Sequence, residues 1–200
     1  MKKLKFAIRY LKHKLFSGFQ HLGWKVVFEN NVVVRGAQHI HIGDYVSIDS
    51  NAMIYAVKSG VSQSTRPQIV IEDRAGISTG AVILAAKDVR IGKDAMVGPN
   101  TVIVDYDYHY ENVEIPISSQ GFNNIKPIRI GRGAWIGANV TICSGVTIGR
   151  NSVIGANSVV KNDIPDYSLA VGAPAKVVKK YNPKTKNWER VDKNKQREAI

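Results

Sequence analysis

Cysteine is nearly absent: Cys143 stands alone in 200 residues, which excludes an intrachain disulfide framework and a cysteine-rich zinc site. Long apolar runs are missing too, and none approaches the roughly 20 residues that span a bilayer. The N-terminal segment lacks the unbroken apolar core of a secretory signal, because Lys5, Arg9, Lys12 and Lys14 interrupt it. A reducing, cytoplasmic setting is therefore expected. Acidic residues are few, 16 against 28 basic ones, for a formal net charge of +12. A hydrophobic content of 44% and a charged content of 22% exclude wholesale disorder. The length suits one domain with a sizeable core and room for an appendage.

A charge of +12 would suit a nucleic-acid partner if it covered the body of the protein, but it does not. Residues 1–26 carry +7, residues 27–175 carry −1, and residues 176–200 carry +6. The excess sits in two ends, so nucleic acid is not an expected partner.

What the middle does have is a repeat. From Ile130 it reads IGRGAW, IGANVT, ICSGVT, IGRNSV, IGANSV and VKNDIP, led by Ile130, Ile136, Ile142, Ile148, Ile154 and Val160. The same six-residue step links Ile42, Ile48 and Ile54, then Ile71, Ile77 and Ile83, then Ile91, Val97 and Ile103. Six fits neither a helix of 3.6 residues per turn nor plain strand alternation. It fits a short strand and a tight turn, repeated. The β-branched lead residue points inward and stacks on its equivalents, while glycine allows close approach at the corners. Such units bury their apolar side only by stacking, so the pattern predicts a parallel solenoid over residues 27–180 rather than a β-sandwich.

Residues 55–68 and 104–127 break the step and read as extruded loops, which on a regular scaffold tend to carry function. Leu4, Ile8, Leu11, Leu15, Phe19 and Leu22 recur at three- and four-residue spacing, which predicts a basic amphipathic helix over residues 2–23, within an N-terminal unit spanning 1–26. That helix would cap the solenoid or lie on an anionic membrane surface. Residues 181–200 are polar and basic, and predict a weakly ordered tail or short terminal helix.

Three features, the hexads, the loop DYDYHYENVEIPI and the run from Trp135 to Tyr181 with its closing VGAPAKV, resemble the hexapeptide-repeat acyltransferases. Among these, the galactoside, maltose and polysaccharide O-acetyltransferases are nearest by motif. The resemblance covers residues 32–181 and implies an all-β, left-handed parallel β-helix. It also implies acetyl-CoA as donor, no metal requirement, and a homotrimer with sites between subunits. The implied acceptor is a sugar hydroxyl in a capsule, O-antigen or exopolysaccharide, worked on in the cytoplasm at the inner face of the membrane. N-acetylation of an amino-sugar nucleotide, antibiotic acetylation, and a non-catalytic glycan-binding scaffold are the alternatives.

Acyl transfer to a hydroxyl needs a base, an oxyanion stabiliser and two oriented substrates. His109 is the one histidine in the long loop, and the family pattern makes it the catalytic base. Asp105, Asp107 and Glu111 are the carboxylates available to orient it or to bind sugar hydroxyls, and the family pattern ranks Asp105 first. Tyr106, Tyr108 and Tyr110 suit a sugar face or loop packing. By resemblance, the amide of Ala138 meets the thioester carbonyl and that of Ala156 the pantetheine arm. Trp135 walls the groove, and Lys161, Lys176 and Lys179 meet phosphates of the donor; Lys161-Asn162 departs from the Thr-Lys common in relatives. His39 and His41 are two apart on one strand, but His109 is too remote to complete a metal site with them. Cys143 is expected to be a buried, inert packing residue.

Overall fold

The computed structural model describes residues 18–57 and 66–191. The chain winds through three parallel sheets in turn, so each coil contributes one short strand to each of three faces. In the fifth coil these strands are Ile128–Ile130, Trp135–Ile136 and Thr141–Ile142; in the sixth they are Thr147–Ile148, Val153–Ile154 and Val159–Val160. Ile130 pairs with Ile148, Ile136 with Ile154 and Ile142 with Val160, so three hexads close one coil of 18 residues. The lead residues form the core: Ile48, Ile77, Ile136, Ile142 and Ile148 are at most 1% exposed. Each such burial contributes roughly 2–3 kcal/mol.

The corners explain the small residues. Adjacent coils approach so closely that a Cβ on Gly131 would lie 2.5 Å from the Arg150 nitrogen, and one on Gly137 would lie 2.6 Å from the Ala156 nitrogen. Two residues past Gly137 and Gly155, Asn139 and Asn157 adopt φ of 54° and 59°, a region that asparagine tolerates better than most residues. Here the corner between the first and second faces is called corner one, that between the second and third corner two, and that between the third and first corner three.

Three expectations about the periphery change. Residues 18–23 are not helical: His21–Leu22 is the first strand of the first coil, pairing with His41 and Ile42. Leu22 is core, and Phe19 stacks on Phe28 at 5.9 Å. The solenoid therefore begins before residue 27, and the remainder of the expected helix, residues 1–17, lies outside the described residues. The expected loop 55–68 is shorter, since Met53–Ala56 and Gln68–Ile71 are strands; residues 58–65 lie outside the described residues. At the other end, Ala175–Asn182 folds back antiparallel on Ser168–Gly172, and Asn187–Arg190 pairs with it in turn. The expected tail or helix is thus a strand pair up to Arg190, and residues 192–200 lie outside the described residues.

Candidate active site

The long loop leaves the third face after Val102–Val104 and rejoins the first at Ile128–Ile130, so it stands on corner three. Its neck is ordered: Asp107 pairs antiparallel with Asn123, and Tyr108 with Phe122. Tyr106 stacks on Phe122 at 4.0 Å and packs with Val57, Ala86 and Leu84 over the outer side of the third face. Burial pushes the Tyr106 phenol up to about 12, so it serves as a neutral packing group.

His109 sits above this neck, its amide donating to the Gly121 carbonyl at 3.1 Å. Its Nδ1 lies 3.1 Å from Glu111 Oε2. Glu111 is fixed from two other sides, accepting from the Tyr110 amide at 3.0 Å and from Asn123 Nδ2 at 3.3 Å. Backbone hydrogen bonds, led by its own amide, and then the His109 contact hold the Glu111 carboxyl below its usual range. An ionised Glu111 accepts from Nδ1–H, so in the neutral imidazole the lone pair lies on Nε2. That nitrogen has no hydrogen-bond partner among the described residues. The imidazole is therefore arranged to take a proton from an incoming group.

Asp105 does not orient the imidazole. It is fully buried, and its carboxylate accepts the amides of Ala86, Lys87 and Asp88 at 2.6, 2.9 and 2.8 Å. Burial raises its pKa, opposed by those three amides. Its place is at the foot of the loop, and the partner of His109 is Glu111. Asp107 Oδ2 accepts from Asn124 Nδ2 at 2.8 Å, while Tyr108 is exposed and edge-on to Phe122 at 5.0 Å. Sequence reasoning passed over Asn123, Ser144 and Gln120; only their strand pairing and loop closure reveal them. Gln120 Nε2 ties the loop tip by donating to the carbonyls of Asn112 and Ile115 at 2.8 and 3.2 Å.

Two of the expected donor residues sit at corner two. Ala138 and Ala156 occupy equivalent positions in successive coils, where Asn157 donates its amide to the Ala138 carbonyl at 2.9 Å. Asn139 Nδ2 donates to Asn157 Oδ1 at 3.2 Å beside them. The amides of Ala138 and Ala156 themselves find no acceptor among the described residues. Two open N–H groups on small alanine residues suit the amide- and thioester-bearing arm of an acyl-CoA. Trp135, 52% exposed, lies on the second face in register with Val153, which pairs with Leu169, which pairs with Lys179. Lys176 pairs with Val171, whose Cγ1 is 2.7 Å from where a Cβ on Gly155 would be. Lys176 and Lys179 thus lie on the strand that extends the second face beside corner two. Lys161 does not: it follows Val159–Val160 onto corner three, where it acts electrostatically on Cys143.

Cys143 is half-buried rather than buried, and burial raises its thiol pKa, with Asp107 adding to the effect. His41 stacks on His21 at 4.3 Å from the neighbouring coil. His39 ends the short 3-10 turn Ala37–His39 instead of sharing a strand with His41. Among the described residues no group of three or more His, Cys, Asp or Glu is placed to hold a metal ion. No helix among them is long and apolar enough to cross a membrane.

Residues 127–162 match the family model described as bacterial transferase hexapeptide (six repeats). The protein named for O-acetyl transfer in lipopolysaccharide biosynthesis, WbbJ of Escherichia coli strain K12, is 35% identical over 134 residues. That match takes in 62% of this chain and 67% of the relative. The chain belongs to the hexapeptide-repeat acyltransferases. A protein of Mycobacterium tuberculosis named as an acetyltransferase is 40% identical over 107 residues, 54% of this chain. There the chain spans about a third of the relative's length, 35%. An N-acyltransferase from Bacillus cereus, solved with dTDP and 3-hydroxybutyryl-CoA, shares the fold with a TM-score of 0.73 at 19% identity, covering 88% of this chain and 90% of the other. A hexapeptide-repeat acetyltransferase from Vibrio cholerae, solved with acetyl coenzyme A, is 29% identical with a TM-score of 0.60, covering 88% of this chain and 78% of the other. The three-faced coil described above is thus the left-handed parallel β-helix of this family.

Proposed function

We propose that this acyltransferase moves an acetyl group from acetyl-CoA to a sugar hydroxyl. The observation that carries the reading is the His109–Glu111 pair at 3.1 Å, raised on a braced loop with Nε2 open. Nε2 takes the hydroxyl proton as the oxygen attacks the thioester carbon. The Ala138 amide donates to the oxyanion that forms, and the carbon–sulfur bond then breaks. The protonated imidazole returns its proton to the departing thiolate, so no covalent enzyme intermediate is needed. Lys176 and Lys179 are placed to meet donor phosphates. Asp107, Tyr108 and Glu111 flank the acceptor side. The Vibrio acetyltransferase with bound acetyl-CoA supports the donor, and the name of WbbJ supports a surface-polysaccharide acceptor. Acetyl-CoA is a cytoplasmic metabolite, which fits action on the precursor inside the cell.

His109 stands on corner three and the donor amides on corner two, with the third face between them. That face turns Val33, Met53, Val82, Val102, Thr141 and Val159 outward in one column, apolar but for the threonine. A trimer packed through this column would bring the loop of one copy to corner two of the next.

The test is turnover with acetyl-CoA and a panel of sugar and amino-sugar acceptors, read by product mass. Mild alkali releases an O-acetyl ester and leaves an N-acetyl amide. His109→Ala is expected to lower turnover about 10²–10⁴-fold with CoA binding retained. Undiminished turnover overturns the base, and an alkali-resistant product overturns the hydroxyl acceptor.

A further inference from the structure

The reaction requires His109 to be held within fractions of an ångström, yet it sits on a loop of two dozen residues. What holds the neck of that loop is Ser144, a corner-three residue of the fifth coil that takes no part in the chemistry above. The Ser144 hydroxyl accepts the Lys126 amide at 3.1 Å. Its single proton is directed at the carbonyls of Asp105, at 3.0 Å, and Asn124. Asp105 belongs to the outgoing arm of the loop, and Asn124 and Lys126 to the returning arm. One hydroxyl therefore joins both arms to the solenoid wall. Around it, the Lys126 amide also donates to the Asp105 carbonyl at 3.0 Å, and the Gly145 amide to the Lys126 carbonyl at 3.3 Å. A Cβ on Gly145 would lie 3.1 Å from the Lys126 Cδ, so the returning arm is pressed onto this corner.

Above the clamp, one chain of contacts leads to the imidazole. Asn124 holds Asp107, the Asp107–Asn123 pair places Asn123, and Asn123 donates to the Glu111 carboxylate that fixes Nδ1. We infer that Ser144 is a positioning residue for His109, acting through this chain of contacts and not on substrate. The inference rests on the proposed role of His109. It also separates two duties: Asp105 anchors the arm to the third and fourth coils through three amides, and Ser144 ties the arms together from the fifth.

The test compares Ser144→Ala with Ser144→Thr, which retains the hydroxyl. Ser144→Ala is expected to lower kcat roughly tenfold, because a base displaced by about an ångström loses one to two orders of magnitude. KM for acetyl-CoA should stay unchanged, since corner two is untouched. Ser144→Thr should recover most of kcat. Amide hydrogen exchange in residues 106–125 should quicken in the alanine variant and not elsewhere. The inference is overturned if kcat of Ser144→Ala stays native, or if KM for acetyl-CoA rises and thermal stability drops as kcat falls. Should His109→Ala prove fully active, the base assignment fails by itself, whatever Ser144 does.

Discussion

Corners one and two are built from the same parts, a tight turn with one residue at positive φ, but they treat their backbone amides in opposite ways. At corner one, acidic side chains from the neighbouring coil close several of them. Trp24 donates to Asp44 at 2.7 Å, Asp44 to Asp73 at 3.1 Å, Lys93 to Glu72 at 2.9 Å and Arg150 to Asp166 at 2.9 Å. Ion pairs such as Arg74–Asp94 at 2.6 Å lace the same edge. At corner two the equivalent positions of the fifth and sixth coils carry Ala138 and Ala156, which have nothing to offer a neighbour's amide. A solenoid repeats its backbone, so function has to be written in which corners are left open. Corner one is a structural seam, whereas corner two leaves two donors unspent in the fifth and sixth coils.

The sharpest way to break that contrast uses the protein's own sequence. Pro99 is the fourth-coil equivalent of Ala138, as the pairing of Val97 with Ile136 shows. The corner therefore accepts a proline backbone, and Ala138→Pro removes little beyond the N–H. Turnover is expected to fall about 10²–10³-fold, the usual loss for one oxyanion donor, with the fold retained by circular dichroism. Next in size, Ile136→Ala, beneath both corners, should cost roughly 2–5 kcal/mol in urea unfolding through its cavity. Asp73→Ala at corner one should cost only about 0.5 kcal/mol by the same measurement, because the side chain is 44% exposed, and leave turnover native. Smallest is the acid response. The Asp44 amide, more than any other group, holds the Asp73 carboxyl below 3.8. A depressed carboxyl lends stability above its unfolded value and loses it as pH falls through the folded value. The midpoint of thermal unfolding should therefore decline below about pH 4, and less steeply in Asp73→Asn.

The contrast also marks what the sequence could and could not tell. The isoleucine step is legible because a buried column admits few residue types, and every lead residue from Ile130 to Val160 lies inward. Phe19 and Leu22 misled because their three-residue spacing fits a helix stripe and also the first coil, which in fact buries Leu22. The terminal strand pair was hidden by its exposure: all four residues of Asn187–Arg190 face solvent, so no apolar alternation announces them. His109 was legible as the loop's one histidine. Its partner was not, since Asp105, Asp107 and Glu111 are chemically alike. Only the hairpin register, which brings Asn123 to Glu111 and sends Asp105 down to the amides of Ala86–Asp88, separates their roles.

The central claim, that corner two receives the acyl donor through open amides, is tested most directly by hydrogen exchange with and without acetyl-CoA. The account predicts new protection at residues 137–139 and 155–157, with residues 43–45, 72–74 and 92–94 of corner one unchanged. Protection gained at corner one instead, or at neither corner despite saturating donor, would contradict it.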